Sequence, residues 1–465
     1  MQPCIFIKDV KQEDAFDEKY GGNLKVSNNA QGRDTFRSRF GFIMACVGSA
    51  VGIGNIWLFP YRVGEYGGFA FLVPFIIFEV FLGFVGVVGE MAFGRAMRSG
   101  PHGAFRGVLQ KYGKEKFGFL GVIPLIGTLG IAIGYTVIMG WVLRYIVGAV
   151  SGSLFAGDPA AYFGAISGPL GSLGWHILAA ILTFVVLSAG VSAGIERASK
   201  VIMPAFFLIF VGLAIYVSTI SGAEAGYAFM FNPDWGALSD PKAWVYAMGQ
   251  AFFSLSLAGC GTVVYGSYLS DKENVPFSAL SVFLFDLIAS ILIAMVILPA
   301  VFAFGTDPQA GPPLVFIVLP QIFAALPAGN LIALVFFVSV FFAGITSMVN
   351  MYEGPIDALM EQYNMSRKKA CLLVIGVSLL VGLVLENADY MGGWMDFIYI
   401  IIMPFGALLC GIMFYWLSGK DFVEKAILTG SHLKSAKIFT SLGKYVYCAI
   451  SFLVLFLGII LGGIG

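Results

Sequence analysis

Long apolar runs, separated by short polar segments, occupy nearly all of the chain after residue 39. A membrane-crossing α-helix needs about 20 consecutive, mostly apolar residues. The pattern therefore predicts an all-α integral membrane protein with about eleven transmembrane helices. The predicted spans are 40–64, 69–97, 118–149, 173–190, 195–218, 242–269, 278–304, 328–360, 370–386, 394–417 and 443–463.

The composition supports lipid as the solvent of this chain. Of the 465 residues, 58% are hydrophobic and 12% are charged, whereas soluble globular domains carry roughly 25% charged residues. This excludes a soluble enzyme, a disordered chain and a nucleic-acid-binding protein, which needs a basic surface. No HExxH or GxSxG motif stands in its expected setting, so we expect no enzymatic activity.

The distribution of cations predicts how the helices are oriented. The chain has 27 Lys and Arg residues, and cytoplasmic loops carry an excess of both. With the N-terminus inside, 24 of the 27 lie in cytoplasmic segments, and only Arg62, Arg144 and Lys242 lie outside. This asymmetry predicts a cytoplasmic N-terminus, an odd number of spans and an extracellular C-terminus.

The first and sixth predicted helices are interrupted near their middle. The interruptions contain glycines and small polar residues, at Gly48, Gly52, Gly54 and Asn55 in the first helix and at Ser254, Ser256, Gly259 and Gly261 in the sixth. Glycines also occur where membrane helices pack closely, but paired breaks in two halves of a chain indicate a transporter's central site. Because five is odd, helices 1–5 and 6–10 enter the membrane from opposite sides, which predicts an inverted repeat.

One acidic residue lies at the centre of a predicted span. Asp286 belongs to SALSVFLFDLIASILIAM, a run with no other charge. A carboxylate at this depth costs about 3 kcal/mol or more, so an intramembrane acid is a functional candidate by default. The alternative, a structural ion pair, lacks an obvious cation in the inner halves of the central spans.

Several motifs, in order along the chain, resemble the neurotransmitter:sodium symporters, which have the LeuT-type fold. They are GSAVGIGNIWLFP at 48–60, EYGG at 65–68, GEMAFGR at 89–95, GYTVIMGW at 134–141, GIERASKVIMP at 194–204, NPDW at 232–235, GQAFFSLSL at 249–257, AGITS at 343–347, MSRK at 365–368 and MDF at 395–397. The chain is similar to the eleven-helix form of the family, which implies a bacterial amino-acid transporter of the plasma (inner) membrane.

The resemblance implies a division of the chain into four parts. These are a cytoplasmic tail with the inner gate at 1–39, repeat halves at 40–218 and 219–417, and a cytoplasmic loop with the last helix at 418–465. It implies a sodium-coupled symporter that imports amino acids by alternating access, with the bilayer as its other partner and no nucleic acid. The alternative is a channel-like or substrate-sensing membrane protein of the same fold without coupled transport.

The resemblance also implies two sodium sites at the helix breaks. The first consists of Ala50, Asn55, Ser254 and Asp286, together with the substrate carboxylate. The second consists of Gly48, Val51, Ala343, Thr346 and Ser347. Hydroxyl groups in membrane helices often bond to carbonyls of their own helix, which is the alternative for Thr346 and Ser347.

Chloride independence is a further expectation. Animal members of the family have Asn at the position of Asp286 and bind chloride through a Tyr, a Gln and two Ser. This chain has Gln250, Ser254 and Ser290 but Phe75 at the position of the Tyr. A fixed carboxylate at Asp286 supplies the negative charge that the anion otherwise provides.

The resemblance places the substrate between helices 1, 3, 6 and 8. Its predicted contacts are Ser49, Ala50, Gly52, Gly54, Ile131, Tyr135, Phe253, Ser254, Ser256, Gly259, Ser347 and Met351. Monoamine transporters have an Asp at the position of Gly52, so a glycine there favours an amino acid over an amine. The mostly apolar lining favours a hydrophobic or aromatic side chain.

Two gates are implied on either side of the substrate. In the outer gate, Tyr135 and Phe253 form a lid, and the family places an Arg–Asp pair above it. Asp396 is present, but Leu58 stands at the Arg position. Arg62 lies four residues on, hence on the same helix face, and we expect it to reach Asp396. The inner gate is expected to contain Arg33, Phe36, Tyr268 and Glu361, with Arg33 paired to Glu361.

Overall fold

Helices account for most of the residues that the computed structural model describes, which are 34–306 and 313–463. No β-strand occurs in those two segments. The first half of the chain forms α1 (Arg39–Ala50), α2 (Ile53–Glu65), α3 (Gly68–Met97), α4 (Pro101–Gln110), α5 (Glu115–Ser151), α6 (Pro159–Ser167), α7 (Leu173–Ser188), α8 (Val191–Ser218) and α9 (Ala223–Phe231). The second half forms α10 (Pro241–Ser254), α11 (Gly261–Ser267), α12 (Val275–Ala303), α13 (Leu314–Ala325), α14 (Gly329–Tyr363), α15 (Arg367–Leu385), α16 (Ala388–Leu417), α17 (Lys420–Leu428) and α18 (Lys437–Leu461).

Eight helices of the described residues are long and apolar enough to cross a membrane, and the bent pair α1 and α2 makes up to nine. The chain is thus a multi-pass membrane protein. Two of the predicted spans are not among these helices, because their helices are too short. One is α7, whose 16 residues extend only about 24 Å at 1.5 Å per residue. The other is divided into α10 and α11 by a break.

The central helices approach one another closely. Helix α5 packs along α14, and α1 lies against α8, α12 and α14. A Cβ atom on Gly344 of α14 would overlap the Met139 sulfur of α5, and one on Gly134 of α5 would overlap the Met395 sulfur of α16. Small residues permit this close packing where no hydrophobic force drives helices together in lipid. The packing brings the two broken helices beside α5 and α14.

A buried arginine connects the loops at one end of the bundle. Arg95, in the last turn of α3, is 2% exposed. Its guanidinium donates to the carbonyl oxygens of Glu273 at 2.6 Å, Ala426 at 2.6 Å and Thr429 at 2.8 Å. Because guanidinium offers five donors and no acceptor, it links α3, the segment before α12 and α17 through backbone oxygens alone.

Candidate functional site

The first helix break lies between Ala50 and Ile53, where α1 and α2 meet at 55°. Gly52 has an extended backbone, and its N–H donates to Asn55 Oδ1 at 3.1 Å. A Cβ atom on Gly52 would lie 3.0 Å from the Ser347 hydroxyl and 3.3 Å from the Tyr135 hydroxyl. The absence of a side chain therefore leaves the backbone of the break within reach of polar groups on α5 and α14.

The second break lies between Ser254 and Gly261, where α10 ends and α11 begins. Ser256 and Gly259 both adopt positive φ angles, +54° and +69°. The Gly259 N–H donates to Glu90 Oε1 of α3 at 2.9 Å, and Ser256 Oγ donates to the Ser49 carbonyl of α1 at 2.7 Å. The two breaks are thus joined directly by a hydrogen bond.

Three side chains of the first predicted cation site meet in the structure. The Asn55 amide nitrogen donates to Ser254 Oγ at 2.8 Å, to Asp286 Oδ1 at 2.9 Å and to Ser290 Oγ at 3.0 Å. Ser254 Oγ donates to Asp286 Oδ2 at 2.6 Å. Ala50 ends α1, where carbonyl oxygens lack helical partners. These groups form a buried set of carbonyl, hydroxyl, amide and carboxylate oxygens.

The second predicted cation site is also brought together. Ser347 Oγ donates to the carbonyls of Gly48 at 2.9 Å and Val51 at 3.3 Å. Thr346 Oγ1 donates to its own helix at the Ala343 carbonyl, 3.0 Å away, and a Cβ atom on Gly48 would lie 2.9 Å from that hydroxyl. All five residues therefore contribute oxygens to one place between α1 and α14.

A small enclosed cavity of about 20 Å³ lies between the two breaks. Nine of the predicted substrate contacts line it, namely Ser49, Ala50, Gly52, Ile131, Tyr135, Phe253, Ser256, Ser347 and Met351. The other three, Gly54, Ser254 and Gly259, lie outside its lining. The Tyr135 hydroxyl faces the backbone of Ile53 and Gly54 and the hydroxyl of Tyr399.

Five residues of the cavity are absent from the predicted substrate contacts, namely Thr128, Ala258, Gly261, Asn350 and Met403. For two of them, the sequence contains a pattern that could have predicted their place in the cavity. Asn350 is a lone amide three residues after Ser347, and Thr128 lies seven residues before Tyr135, so each shares a helix face with a predicted contact. Met403 stands in an apolar run of α16, and only helix packing brings it to the cavity.

A larger cavity of about 470 Å³ begins on the other side of Phe253. Phe253 lines both cavities, and its ring centroid is 4.4 Å from that of Tyr399. Tyr399 was not predicted, although it lies three residues after Asp396 on α16. Together with Tyr135, these rings separate the small cavity from the larger one, which we call the vestibule.

The predicted partners of the outer gate share the vestibule without touching. Arg62 and Asp396 both line it. Arg62 bonds to Glu65 at 2.6 Å, and its guanidinium lies 3.7 Å from the centre of the Tyr246 ring. In the described part of the chain, no ion pair joins Arg62 to Asp396, so their pairing remains a prediction. Glu65 lies three residues after Arg62 on the same helix, so it stays within reach of Arg62 in any arrangement of the other helices.

The opposite end of the bundle is closed by aromatic and charged side chains. The Phe36 ring contacts those of Tyr265 and Tyr268, at 5.6 and 6.4 Å between centroids. The Tyr268 hydroxyl donates to Glu353 at 2.7 Å, and Arg367 donates to the same carboxylate at 2.6 and 2.9 Å.

The predicted ion pair of the inner gate joins Glu361 and Arg33, of which the structure describes Glu361. Glu361 accepts hydrogen bonds from Ser99 Oγ at 2.7 and 2.9 Å. Arg33, its predicted partner, lies outside the described residues. The sequence prediction missed Glu353, Asp357 and Arg367, although acids four residues apart on one helix face are a visible pattern. Asp357 accepts from Tyr268 at 3.0 Å.

Comparison with known proteins identifies the fold and the family of this chain. The model of the sodium:neurotransmitter symporter family matches residues 33–158 and 165–460. A solved structure of MhsT in complex with L-phenylalanine superposes with a TM-score of 0.82 at 32% identity, covering 92% of this chain and 100% of that one. The fold is therefore the LeuT-type fold of that neighbour.

Curated relatives are named as sodium-dependent transporters. The uncharacterised transporter YhdH of Bacillus subtilis is 36% identical over 420 residues, which are 87% of this chain and 92% of that protein. The mouse sodium-dependent neutral amino acid transporter B(0)AT1 is 25% identical over 76% of this chain and 67% of its own length. The chain therefore belongs to the sodium:neurotransmitter symporter family.

Proposed function

We propose that this protein is a sodium-coupled symporter that imports amino acids with hydrophobic or aromatic side chains, independently of chloride. The observation that carries the proposal is the joining of two helix breaks around one buried cavity. Non-helical backbone at membrane depth is tolerated where it is buried in protein or lines a cavity, and half-helix ends there bind ions and carboxylates. The L-phenylalanine in the MhsT structure supports an aromatic substrate.

Two Na⁺ ions occupy the two oxygen-rich sites in this proposal. Ala50, Asn55, Ser254 and Asp286 hold one ion beside the substrate carboxylate. The other ion binds between α1 and α14, at the residues around Ser347. Each Na⁺ entering at a membrane potential of 100 mV gains about 2.3 kcal/mol. Two ions, with their concentration gradient, therefore suffice for strong accumulation.

Alternating access requires the chain to be arranged as two related halves. We propose eleven membrane helices in which 40–218 and 219–417 form a five-plus-five inverted repeat, with 1–39 as the tail of the inner gate and 418–465 as the last loop and helix. The breaks after α1 and after α10 stand at the start of each half, which supports this division. Tyr135 and Phe253 then act as the outer lid, and Phe36 and Tyr268 as part of the inner gate.

We predict that the N-terminus is cytoplasmic and the protein lies in the plasma membrane. Single cysteines in a Cys4→Ser background test this by labelling intact cells with an impermeant maleimide. Ser239→Cys, after α9, is expected to react at once, and Lys434→Cys, after α17, only when the cells are permeabilised. Both positions are exposed and the other five cysteines are buried. The reverse pattern would contradict the orientation.

We predict saturable, Na⁺-driven accumulation of an amino acid by the purified protein in proteoliposomes. All standard amino acids are tested as radiolabelled substrates, with and without an inward Na⁺ gradient. Hydrophobic and aromatic amino acids are expected to accumulate above their outside concentration. A channel-like protein would only equilibrate its substrate, and a sensor would transport none.

Two serines of α14 provide a matched pair for that assay. Ser347 Oγ reaches the Gly48 carbonyl of α1, whereas Ser339 Oγ donates only within its own helix, to the Phe336 carbonyl at 2.6 Å. Ser347→Ala is expected to raise the Na⁺ concentration for half-maximal uptake about tenfold, in the range typical for losing a supporting ligand. Ser339→Ala is expected to leave it unchanged, and equal effects would remove the second site from the proposal.

We predict that transport does not require chloride. The carboxylate of Asp286 provides the negative charge beside the first Na⁺, and Phe75 offers no hydroxyl to an anion. Replacing chloride by gluconate at constant Na⁺ is expected to leave the initial rate of uptake unchanged. Loss of uptake in gluconate would show that an anion is needed.

We predict that Arg62 and Asp396 interact when the vestibule closes over the substrate. Arg62→Ala, Asp396→Asn and the double variant form a thermodynamic cycle on the uptake rate. An interaction is expected to give a coupling of about 0.5 kcal/mol or more, as found for residues in contact. Glu65→Gln serves as the control, because Glu65 is the partner seen here. Additive effects with Asp396, and coupling with Glu65 alone, would restrict Arg62 to a local role.

A further inference from the structure

The small cavity contains a carboxamide whose hydrogen-bonding capacity is not used up by the protein. Asn350 of α14 lines the cavity and is 2% exposed. The carboxamide faces the Tyr265 hydroxyl, but its Nδ2 makes no hydrogen bond of normal geometry to any described residue. A carboxamide offers two N–H donors and two acceptor positions, which one hydroxyl cannot satisfy. Because a buried donor without an acceptor is costly, the remaining capacity points to a ligand.

A second polar group, the Thr128 hydroxyl of α5, lies at the same end of the cavity. Thr128 Oγ1 donates within its own helix, to the Pro124 carbonyl at 3.2 Å, and lies 3.3 Å from Cys260 Sγ. A hydroxyl that has donated its proton can still accept. Asn350 packs on the next residue, since a Cβ atom on Gly261 would overlap its amide oxygen. The two polar side chains therefore meet consecutive residues of the second helix break.

This polar end lies away from the end at which the substrate carboxylate is expected. There, the backbone of Gly52 stands beside the hydroxyls of Tyr135 and Ser347. Thr128 precedes Tyr135 by seven residues of α5, and Asn350 follows Ser347 by three residues of α14. At 1.5 Å per residue, these spacings correspond to about 10 Å and about 4.5 Å along the two helices. The cavity thus has two polar ends, separated by roughly the length of a large side chain.

The wall between the two ends is apolar and adaptable. It includes Ile131, Met351 and Met403. Methionine is unbranched and has three rotatable bonds, so it fills irregular gaps and can repack around a ligand. The order along the cavity is therefore a site for a carboxylate, an apolar middle, and a far end with one donor and one acceptor. That order matches an amino acid whose apolar side chain ends in a hydroxyl.

A phenol hydroxyl satisfies both groups at the far end. It can accept from Asn350 Nδ2 while it donates to Thr128 Oγ1. A phenyl ring would bring only C–H groups to this end, and an indole N–H donates but cannot accept. The hydroxyls of serine and threonine are too close to their own Cα to span the apolar middle. Sites that hydrogen-bond a substrate hydroxyl discriminate strongly against the analogue that lacks it.

We propose that Asn350 and Thr128 form a specificity pocket for a 4-hydroxyphenyl side chain, so that L-tyrosine is preferred over L-phenylalanine. The inference rests on the proposed amino-acid transport and narrows its substrate class. Asn350 is the donor to the phenol oxygen, and Thr128 is the acceptor of the phenol proton.

The first test uses the wild-type, full-length protein in proteoliposomes with an inward Na⁺ gradient. Radiolabelled L-tyrosine is expected to show a KM about tenfold below that of L-phenylalanine, the scale of one buried donor left unpaired. L-4-methylphenylalanine has nearly the shape of tyrosine but no hydroxyl, and it is expected to compete with tyrosine uptake as weakly as phenylalanine. If it competed as well as unlabelled tyrosine, shape alone would explain the preference and the pocket would be overturned.

The second test changes the pocket itself. Asn350→Leu keeps a similar volume without the amide, and it is expected to raise the KM for tyrosine about tenfold while leaving that for phenylalanine unchanged. Thr128→Val is expected to weaken the preference in the same direction. An Asn350→Leu protein that kept the wild-type preference would overturn the proposal. If this variant does not fold, the comparison with L-4-methylphenylalanine decides, because it needs no substitution.

Thr136→Val is the matched control for Thr128→Val. Thr136 is another buried threonine of α5, and it also bonds to the carbonyl four residues before it, at Ala132 and 2.7 Å. Its hydroxyl contacts that of Tyr352 instead of lining the cavity. The variant is expected to keep the ratio of the two KM values, whatever its rate. Equal loss of the ratio in both threonine variants would assign the effect to helix packing and overturn the pocket.

The remaining outcomes separate this inference from the proposed function. Absence of Na⁺-driven uptake for every amino acid would overturn the proposed transport itself. Na⁺-driven uptake in which phenylalanine has a KM equal to or below that of tyrosine would leave the transport function intact and overturn the specificity pocket.

Discussion

The structure depends on keeping non-helical backbone satisfied in the middle of a membrane. Helix α1 stops at Ala50 and α10 stops at Ser254, and each stop leaves carbonyl and N–H groups without helical partners. The hydrocarbon of the bilayer cannot hydrogen-bond to these groups, so the protein has to supply their partners. It does so by joining the breaks to each other, from Ser256 to Ser49, and to the flanking helices, from Ser347 to Gly48 and from Gly259 to Glu90. The same groups that satisfy the backbone are those that we propose for the cation and substrate sites.

The two ends of the bundle differ in how they are sealed. Toward the vestibule, the cavity is separated only by the aromatic side chains of Phe253, Tyr135 and Tyr399. At the other end, Arg367 and Tyr268 share the carboxylate of Glu353. Leaving one member of a buried ion pair alone costs about 3–5 kcal/mol. Opening that end therefore requires water to reach Arg367, Tyr268 and Glu353 at the same time. The aromatic lid, in contrast, can open by rotation of a few side chains.

Buried acids show the limits of the sequence signal. Asp286 and Glu79 are both acids in the middle of long apolar runs. Asp286 was singled out because its predicted span, 278–304, contains no other charge, whereas the span 69–97 around Glu79 also contains Glu90 and Arg95. In the structure, Glu79 contacts Asp286 across more than 200 residues of chain. A periodic pattern contains no information on which helix faces meet, so that contact exists only in the fold.

The residue pattern predicted the membrane class, the two helix breaks and most of the groups that we propose for the cation sites. Apolar run length, glycine and small polar side chains act locally, and local effects are readable along a chain. Other contacts became visible only in the folded chain. Arg62 contacts Glu65 and Tyr246. Thr128, Asn350 and Met403 complete the lining of the small cavity, and Glu353 links Tyr268 to Arg367. Those contacts depend on the angles and distances between packed helices, which are set by side-chain fit across the whole bundle.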